Sequence, residues 1–523
     1  MPLKVSLVGN QVNDAHNESG VPFSQHRSVE TSVSRAERKS VFRIGELPLE
    51  LISYIFELYV LDREEKSDDT RATTEATPFT TPSPLVLILV CKSWHRIAER
   101  TPGLWTEIYY YFVDEAEAEA EFHAQCFKTW LRLSGKLPLF LCFWADQDTD
   151  LETAPFMSLI NEVNSCSHRW GDLRLLDLPA YFYPLFTGND RGAPCLDHLE
   201  LLSQFGYKYQ GAFRLTGKKP APRNFEISYI YLRNIQVDFS AVTRITAWHV
   251  ASEDVIEMIC LSPLLEELDW QDGELYDQDA DALEVPTPRP VVSQTLKRLY
   301  LMAGKGGEED CLRIFKKLTL PALQYFSCDS EFFHKEGSYQ SLAPFFDRSR
   351  CPLVEIHLRC APLSKSGLVT LFTLLPAVQK ASIWIQSRYI GQGMDSFYHS
   401  LLHDTDPVLL PCLTSLGITV DPAFKWSQLP YFVYYDVKTL TRKRPLTSLN
   451  IACNFSDGKL PNYLDKDDLG LVRWLSGRGI SVSIEDRSPM LVGNTWDLIA
   501  LSEEKLARGM GSSTSNQVGV IKA

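Results

Sequence analysis

The sequence predicts an α/β fold in which a small helical segment precedes a long array of strand–helix repeats. A pattern of leucines, L-x-x-L-x-L with other apolar residues allowed at the leucine positions, recurs along the chain from Leu173 onward. Stretches with helical spacing of apolar residues lie between the copies, for example SEDVIEMICLS and SKSGLVTLFTLLP. Ahead of the repeats, the segment from Ile44 to Trp105 also carries apolar residues at helical spacing. Self-similarity of this kind is typical of a solenoid.

The N-terminal segment predicts two helices joined by a long loop. Leu47-Pro48 places a proline at a helix start, where its missing N–H is not needed. Apolar pairs recur at helical spacing over the next dozen residues. The charged and Thr/Pro-rich stretch 62–82 predicts a flexible loop, and Ser83-Pro84 starts the second helix. One face of that predicted helix carries Val90, Trp94 and Ala98.

Each copy of the leucine pattern predicts a short strand, and each interval between copies predicts a helix. From Leu265 on, the copies recur every 25 to 35 residues. Their leucines point inward and stack on the next unit, because a single unit could not bury them alone. We therefore expect an irregular α/β leucine-rich-repeat arc. The copies start at Leu173, Leu196, Leu265, Leu296, Leu323, Leu353, Val378, Leu413 and Leu446, with weaker copies at Ile227 and Val242.

Four regions follow from these patterns. Residues 1–40 are polar without a sustained apolar period and predict a disordered arm. The helical segment spans 41–112, the repeats span 113–502, and residues 503–523 predict a disordered tail.

Composition excludes several classes of protein. The net charge is −14, with 66 acidic against 52 basic residues, which argues against a nucleic-acid partner because phosphate contacts need clustered Lys and Arg. No apolar run approaches the length that spans a bilayer, so no membrane association is expected. Twelve cysteines without a C-x-x-C motif predict free thiols in the cytosol or nucleus.

No catalytic signature, cofactor site or metal site is expected from the motifs present. The phosphate-binding G-x-x-x-x-G-K-[ST], the nucleophile motif G-x-S-x-G and the zinc motif H-E-x-x-H do not occur. His399 and His403 share a helical face, but we interpret them as part of a solvated helix. Catalysis within this chain would require a deep polar pocket with convergent titratable groups.

The segment 44–105 resembles an F-box, in the F-box-like form common in expanded fungal families. The family opens with Leu-Pro, continues with a helix bearing Ile and Phe, and carries V-C-[KR]-x-W, a following alanine and a terminal Leu-Trp. The loop 62–82 is longer than is usual in the family. The matching positions are Leu47, Pro48, Ile52, Ile55, Phe56, Val90, Cys91, Lys92, Trp94, Ala98, Leu104 and Trp105.

The resemblance implies a non-catalytic substrate receptor of an SCF-type ubiquitin ligase. In that family the F-box docks on a Skp-type adaptor and through it on a cullin, while the repeats hold a protein substrate. All of the matching positions except Lys92 are then candidate adaptor contacts. We expect Leu47, Ile52 and Phe56 to be exposed in the isolated chain, as an unpaired docking face.

Strand alternation predicts which repeat residues face a substrate. In L-x-x-L-x-L, the residues just before and just after the second leucine point away from the core. Tyrosine and arginine side by side are typical of binding hot spots, so Arg298, Tyr300 and Tyr325 form the expected centre of contact. The candidate substrate-binding residues are Glu267, Asp269, Arg298, Tyr300, Tyr325 and His357.

Two alternatives remain open at this point. The F-box-like segment could serve only as a cap that covers the exposed apolar end of a repeat scaffold with no role in ubiquitin transfer. The open strand face could equally be an ordinary solvated surface.

Overall fold

The computed structural model describes the larger part of the chain, in segments separated by gaps. The predicted arm 1–40, the predicted loop 62–82 and the two histidines His399 and His403 lie outside the described residues. The described residues are 47–61, 84–113, 117–145, 152–203, 212–271, 290–303, 308–330, 342–360, 365–385, 409–420, 424, 426–433, 444–453, 464–486 and 496–509.

By internal contacts the chain divides into two units, Met1–Ile52 and Ser53–Ala523. In the first unit the carbonyl of Pro48 accepts hydrogen bonds from the amides of Leu51 (3.0 Å) and Ile52 (3.2 Å). Pro48 therefore stands at the start of the first helix, α1 (Leu49–Leu61), as the sequence predicts.

The second predicted helix of the N-terminal segment is in fact two. Helix α2 (Leu85–Val90) and helix α3 (Lys92–Glu99) are separated by Cys91, whose backbone is extended at φ −163° and ψ 166°. The prediction that Val90, Trp94 and Ala98 share one helix face is therefore wrong. A short 3-10 helix, Pro102–Trp105, follows α3 and leads into the first strand.

Beyond this segment the fold is mixed α/β, as the sequence predicts. The described strands form a fifteen-stranded sheet whose order follows the chain, and neighbours are parallel except for an antiparallel last pair. Two short strands, β8 and β10, pair separately. The strands are β1 (Glu107–Phe112), β2 (Leu139–Ala145), β3 (Trp170–Leu178), β4 (His198–Ser203), β5 (Asn224–Ser228), β6 (Arg244–Trp248), β7 (Glu267–Gln271), β8 (Val291–Val292), β9 (Arg298–Ala303), β10 (Leu318–Thr319), β11 (Tyr325–Ser330), β12 (Glu355–Cys360), β13 (Lys380–Ile385), β14 (Ser415–Val420), β15 (Ser448–Cys453), β16 (Ser481–Asp486) and β17 (Trp496–Asp497).

Helices connect many of these strands. Between β3 and β4 and between β5 and β6 the described connections contain 3-10 helices such as Ala180–Leu185 instead of the α-helices that the sequence predicts. The α-helices are α4 (Glu117–Leu133), α5 (Met157–Ser165), α6 (Ser252–Leu261), α7 (Glu308–Lys317), α8 (Leu342–Ser349), α9 (Lys365–Thr373), α10 (Leu429–Val433), α11 (Lys466–Ser476) and α12 (Leu498–Gly509).

The core is built from the inward residues of the repeat pattern. Leu268 pairs in register with Leu299 and Leu299 with Phe326, and all three are fully buried. For two copies of the leucine pattern, however, the predicted start is wrong. Leu173 pairs with Leu199 of β4, which is the second leucine of the copy that starts at Leu196. Leu173 is therefore also a second leucine, and the copy in β3 begins three residues earlier, at Trp170.

The other misplaced copy is in β5. There Phe225 and Ile227 are the inward residues, and they align with Leu199 and Leu201 of β4. The copy in β5 therefore begins at Pro222, five residues before the predicted start at Ile227.

The prediction of a disordered tail from residue 503 onward is wrong for residues 503–509. Helix α12 includes residues 503–509, which the sequence assigns to a disordered tail. Ser502 is fully buried and its hydroxyl accepts a hydrogen bond from the amide of Leu464 at 2.9 Å. Glu503 pairs with Arg473 at 2.8 Å, so this helix is tied to α11. No helix among the described residues has the length and apolar character needed to cross a lipid bilayer.

Candidate protein-interaction surfaces

The candidate adaptor contacts fall into a group of five buried residues and a group of six that are exposed or half-buried. The prediction of exposure is wrong for Ile52 and Phe56, which are 4% and 1% exposed, and Leu47 is half-buried. The ring of Phe56 packs against Trp94 with centroids 4.8 Å apart. The buried candidates are Ile52, Phe56, Ala98, Leu104 and Trp105.

Trp105 shows why this group is internal. Its indole Nε1 donates a 2.8 Å hydrogen bond to the carbonyl of Ala98, which fastens the 3-10 helix to the end of α3. Its ring meets Trp130 of α4 edge-on at 5.7 Å. The Leu-Trp that ends the predicted F-box therefore packs against the first helix that follows β1.

The second group of candidates faces solvent and has apolar neighbours that the sequence pattern did not single out. Pro48, Ile55, Val90 and Cys91 are exposed, and Trp94 is half-buried. Large apolar side chains next to them are also exposed, and Leu89 is the most exposed at 73%. In the unit that starts at Ser53, the exposed apolar residues of α1 and α2 are Tyr54, Ile55, Leu58, Leu85, Val86, Leu89 and Val90.

The candidate substrate residues lie side by side on the open face of the sheet. One row of register partners runs across five neighbouring strands and consists of Glu267, Arg298, Tyr325, Glu355 and Lys380. A second row, two residues further along each strand, consists of Asp269, Tyr300, Ser327, His357 and Ser382. Because neighbouring strands lie about 4.8 Å apart, adjacent members of a row can touch.

Arg298, Tyr300 and Tyr325 form one contact cluster. The guanidinium of Arg298 donates hydrogen bonds to the hydroxyl of Tyr300 at 2.7 and 3.1 Å and lies 5.2 Å from the ring centroid of Tyr325. The two tyrosine rings are 4.6 Å apart, and His357 follows 5.2 Å beyond Tyr325. The cluster is therefore a preformed aromatic surface with a fixed cation at its edge.

The protonation of this cluster is set by burial and by its internal contacts. Burial raises the pKa of Tyr325 to about 12, so its hydroxyl remains a neutral donor at physiological pH. The hydrogen bond to Tyr300 raises the pKa of the Arg298 guanidinium above its ordinary value.

Charged residues flank the cluster on both sides. Glu355 accepts from His357 at 2.8 Å and from Lys380 at 3.2 Å. Burial alone would raise the pKa of Glu355, but these two hydrogen bonds hold it below its ordinary value. On the other side, burial raises the pKa of Asp269, and the charge of Glu267 adds to the rise.

Two further features of the open face were missed from the sequence. A cavity of about 230 Å³ lies over β13–β16, where the open positions hold small residues such as Gly417. A cluster of His198, Glu200 and Glu226 lies on β4 and β5. Both features could have been found in the sequence. Small residues flank the inward apolar positions of the strands under the cavity, and charged residues flank those of β4 and β5.

Comparisons with known proteins do not assign this chain to a family. No protein-family model matches it, and no curated protein matches it either.

Proposed function

We propose that this protein is a non-catalytic substrate receptor of an SCF-type ubiquitin ligase. Residues 41–112 would act as an F-box-like module that docks on a Skp-type adaptor and through it on a cullin. Residues 113–502 would form a leucine-rich-repeat solenoid that holds a protein substrate in the cytosol or nucleus. The contribution to ubiquitin transfer is proximity, because tethering raises the effective concentration of the substrate near the charged conjugating enzyme.

The observation that carries this proposal is the exposed apolar surface of α1 and α2. A helical segment whose sequence resembles an F-box leaves seven large apolar side chains exposed between Tyr54 and Val90. Exposed apolar groups at this density on a small segment are typical of a surface that a partner covers. A partner helix groove is a suitable cover, because helices dock through apolar side chains at helical spacing.

The open face of the sheet supports the second half of the proposal. Its aromatic cluster around Arg298 combines the residue types that dominate protein interfaces. The side chains of the cluster hold one another in place, so little rotamer entropy is lost when a substrate covers them.

Adaptor binding is the direct test. The chain is co-purified with a Skp-type adaptor as wild type, as Leu47→Ala/Pro48→Ala and as Leu89→Ala. We expect both variants to lose adaptor while keeping the wild-type melting temperature. Leu264→Ala is the matched control, because Leu264 is an exposed leucine (52%) between α6 and β7, outside the helical segment. Adaptor binding that is absent in the wild type, or equal in all four proteins, contradicts the proposal.

One contact favours the alternative, in which the helical segment caps a repeat scaffold. Trp105 joins the 3-10 helix to Trp130, so the segment covers part of the first strand–helix unit. Under this alternative, removal of the segment unfolds the neighbouring repeats and no adaptor binds. A chain that binds adaptor and also needs the segment for stability would have both roles.

A further inference from the structure

The open face carries a mixed histidine–carboxylate cluster away from the aromatic one. His198 and Glu200 lie on β4, on either side of the buried Leu199, and Glu226 is the register partner of Glu200 on β5. The Nε2 atom of His198 is 3.7 Å from a carboxylate oxygen of Glu226 and 3.9 Å from one of Glu200. One ligand atom from each residue lies within 4.8 Å of the other two.

The imidazole nitrogen at the centre of this cluster is buried without a hydrogen bond. The Nε2 atom of His198 is shielded from solvent and has no hydrogen-bond partner within the described part of the chain. Glu200 beside it is only 8% exposed. A buried polar atom without a partner is uncommon in folded proteins, and one explanation is an ion that binds there.

Carboxylates from three neighbouring strands lie around the ring of His198. Asp172 on β3 lies 3.9 Å from its Nδ1 atom, so three carboxylates surround the ring. Arg174 faces two of them, at 3.1 Å from Asp172 and 3.6 Å from Glu200.

We propose that His198, Glu200 and Glu226 bind a divalent transition-metal ion. An imidazole with two carboxylates is a ligand set for ions such as Zn²⁺ or Mn²⁺, whereas Mg²⁺ and Ca²⁺ prefer oxygen ligands alone. Metal–ligand bonds of about 2.1 Å place the donor atoms of a tetrahedral site roughly 3.4 Å apart. The separations of 3.7 and 3.9 Å from His198 exceed this value by a few tenths of an ångström, and all three donor atoms lie within 4.8 Å of one another, so rotation of the two glutamate side chains would close the site.

Three protein ligands leave at least one coordination position on the open face. Water or a donor atom of a bound molecule can occupy it. The site does not depend on the proposed ubiquitin-ligase role, since it uses no residue of the helical segment and none of the aromatic cluster.

Mn²⁺ is the probe of choice for the test. The chain has twelve cysteines, which as thiolates would capture Zn²⁺ elsewhere, while Mn²⁺ prefers carboxylate and imidazole ligands. The full chain is stripped with a chelator, and free Mn²⁺ is followed by electron paramagnetic resonance during titration. We expect one saturable equivalent per chain, displaced by Zn²⁺ and not by equimolar Mg²⁺.

Two variants and one matched control assign the site. His198→Ala and the near-isosteric Glu226→Gln should each weaken Mn²⁺ binding by at least about tenfold, since even outer-shell losses cost about 10- to 100-fold. His357→Ala is the control, because His357 also lies on the open face beside a glutamate but has Lys380 as the neighbouring cation. Folding is verified by circular dichroism. No saturable binding to the wild type, or equal binding by Glu226→Gln and the control, overturns the proposal.

Discussion

Phe56 and Ile55 are neighbours on α1 with opposite environments, and they provide a sharp test of how the helical segment is built. Phe56 is 1% exposed and packs on Trp94, whereas Ile55 is 39% exposed. Truncation of a fully buried phenylalanine to alanine costs about 3–5 kcal/mol. Truncation of an exposed side chain changes stability by no more than about 0.5 kcal/mol.

Hydrogen exchange measures this difference locally. Amides in α1 from Ser53 on and in α3 should exchange roughly 100- to 4,000-fold faster in Phe56→Ala, since each 1.4 kcal/mol is about a factor of ten. In Ile55→Ala the same amides should exchange at nearly the wild-type rate. Amides of β9–β13 serve as an internal reference in both variants, because these strands contain neither residue.

The two variants should also differ in adaptor affinity, and here Ile55→Ala should have a direct effect. Under the proposed function, Ile55→Ala weakens adaptor binding at unchanged stability, because it removes part of the docking surface. Phe56→Ala weakens binding only in proportion to the loss of local structure. Equal exchange rates in α1 and α3 for the two variants would refute the assignment of Phe56 to the core and return it to the docking face.

Three other predictions concern the open face and the long loop. Burial raises the pKa of Asp269 above its ordinary value of 3.8, so the folded chain loses stability as the pH rises through the raised pKa. Asp269→Asn should therefore unfold at higher urea concentration than wild type at pH 7, and this gain should vanish below about pH 3.8. Arg298→Ala/Tyr300→Ala should lose bound substrate proteins in affinity purification while adaptor binding is retained, and recovery of the same proteins in the same yield would contradict the site. Shortening of the loop 62–82 by half should change the melting temperature and adaptor affinity little, because halving a loop changes its closure free energy by only about 0.6 kcal/mol; a large loss of affinity would make the loop part of the docking site.

The large parallel sheet was predictable because the leucine pattern marks the inward residues of many of its strands. In β7, β9 and β11 the leucine pattern gives the inward residues correctly, and strand alternation then gives the open positions. The leucine pattern gave a wrong start where a strand fits it in more than one register. In β3 the sequence WGDLRLLDL fits the pattern from Trp170 and from Leu173, and the pairing of Leu173 with Leu199 shows that the copy begins at Trp170.

Strands without the leucine pattern were missed for a different reason. Strand β1 reads EIYYYF and β2 reads LFLCFWA, which are nearly continuous apolar runs. Strands buried on both faces lack alternation, so periodicity alone does not separate them from buried helices. The cluster of His198, Glu200 and Glu226 was missed although strand alternation in the leucine pattern predicts its positions. His198 and Glu200 flank the second leucine of the copy at Leu196, and with β5 in its correct register Glu226 becomes their neighbour.

The exposed apolar side chains of α1 show the limit of hydrophobic periodicity as a guide. In α1 the apolar residues occupy two faces: Ile52 and Phe56 are buried four residues apart, while Tyr54, Ile55 and Leu58 are exposed. Helical spacing identifies both sets as apolar, but it does not say which set the chain itself covers. That choice depends on Trp94 of α3, whose ring packs on Phe56. Helix α1 has apolar residues on two faces, and both must be buried against something to be shielded from water. Among the described residues, Trp94 packs against the face that carries Phe56. The exposed residues Tyr54, Ile55 and Leu58 on α1 and Leu89 and Val90 on α2 are therefore where a partner should be sought.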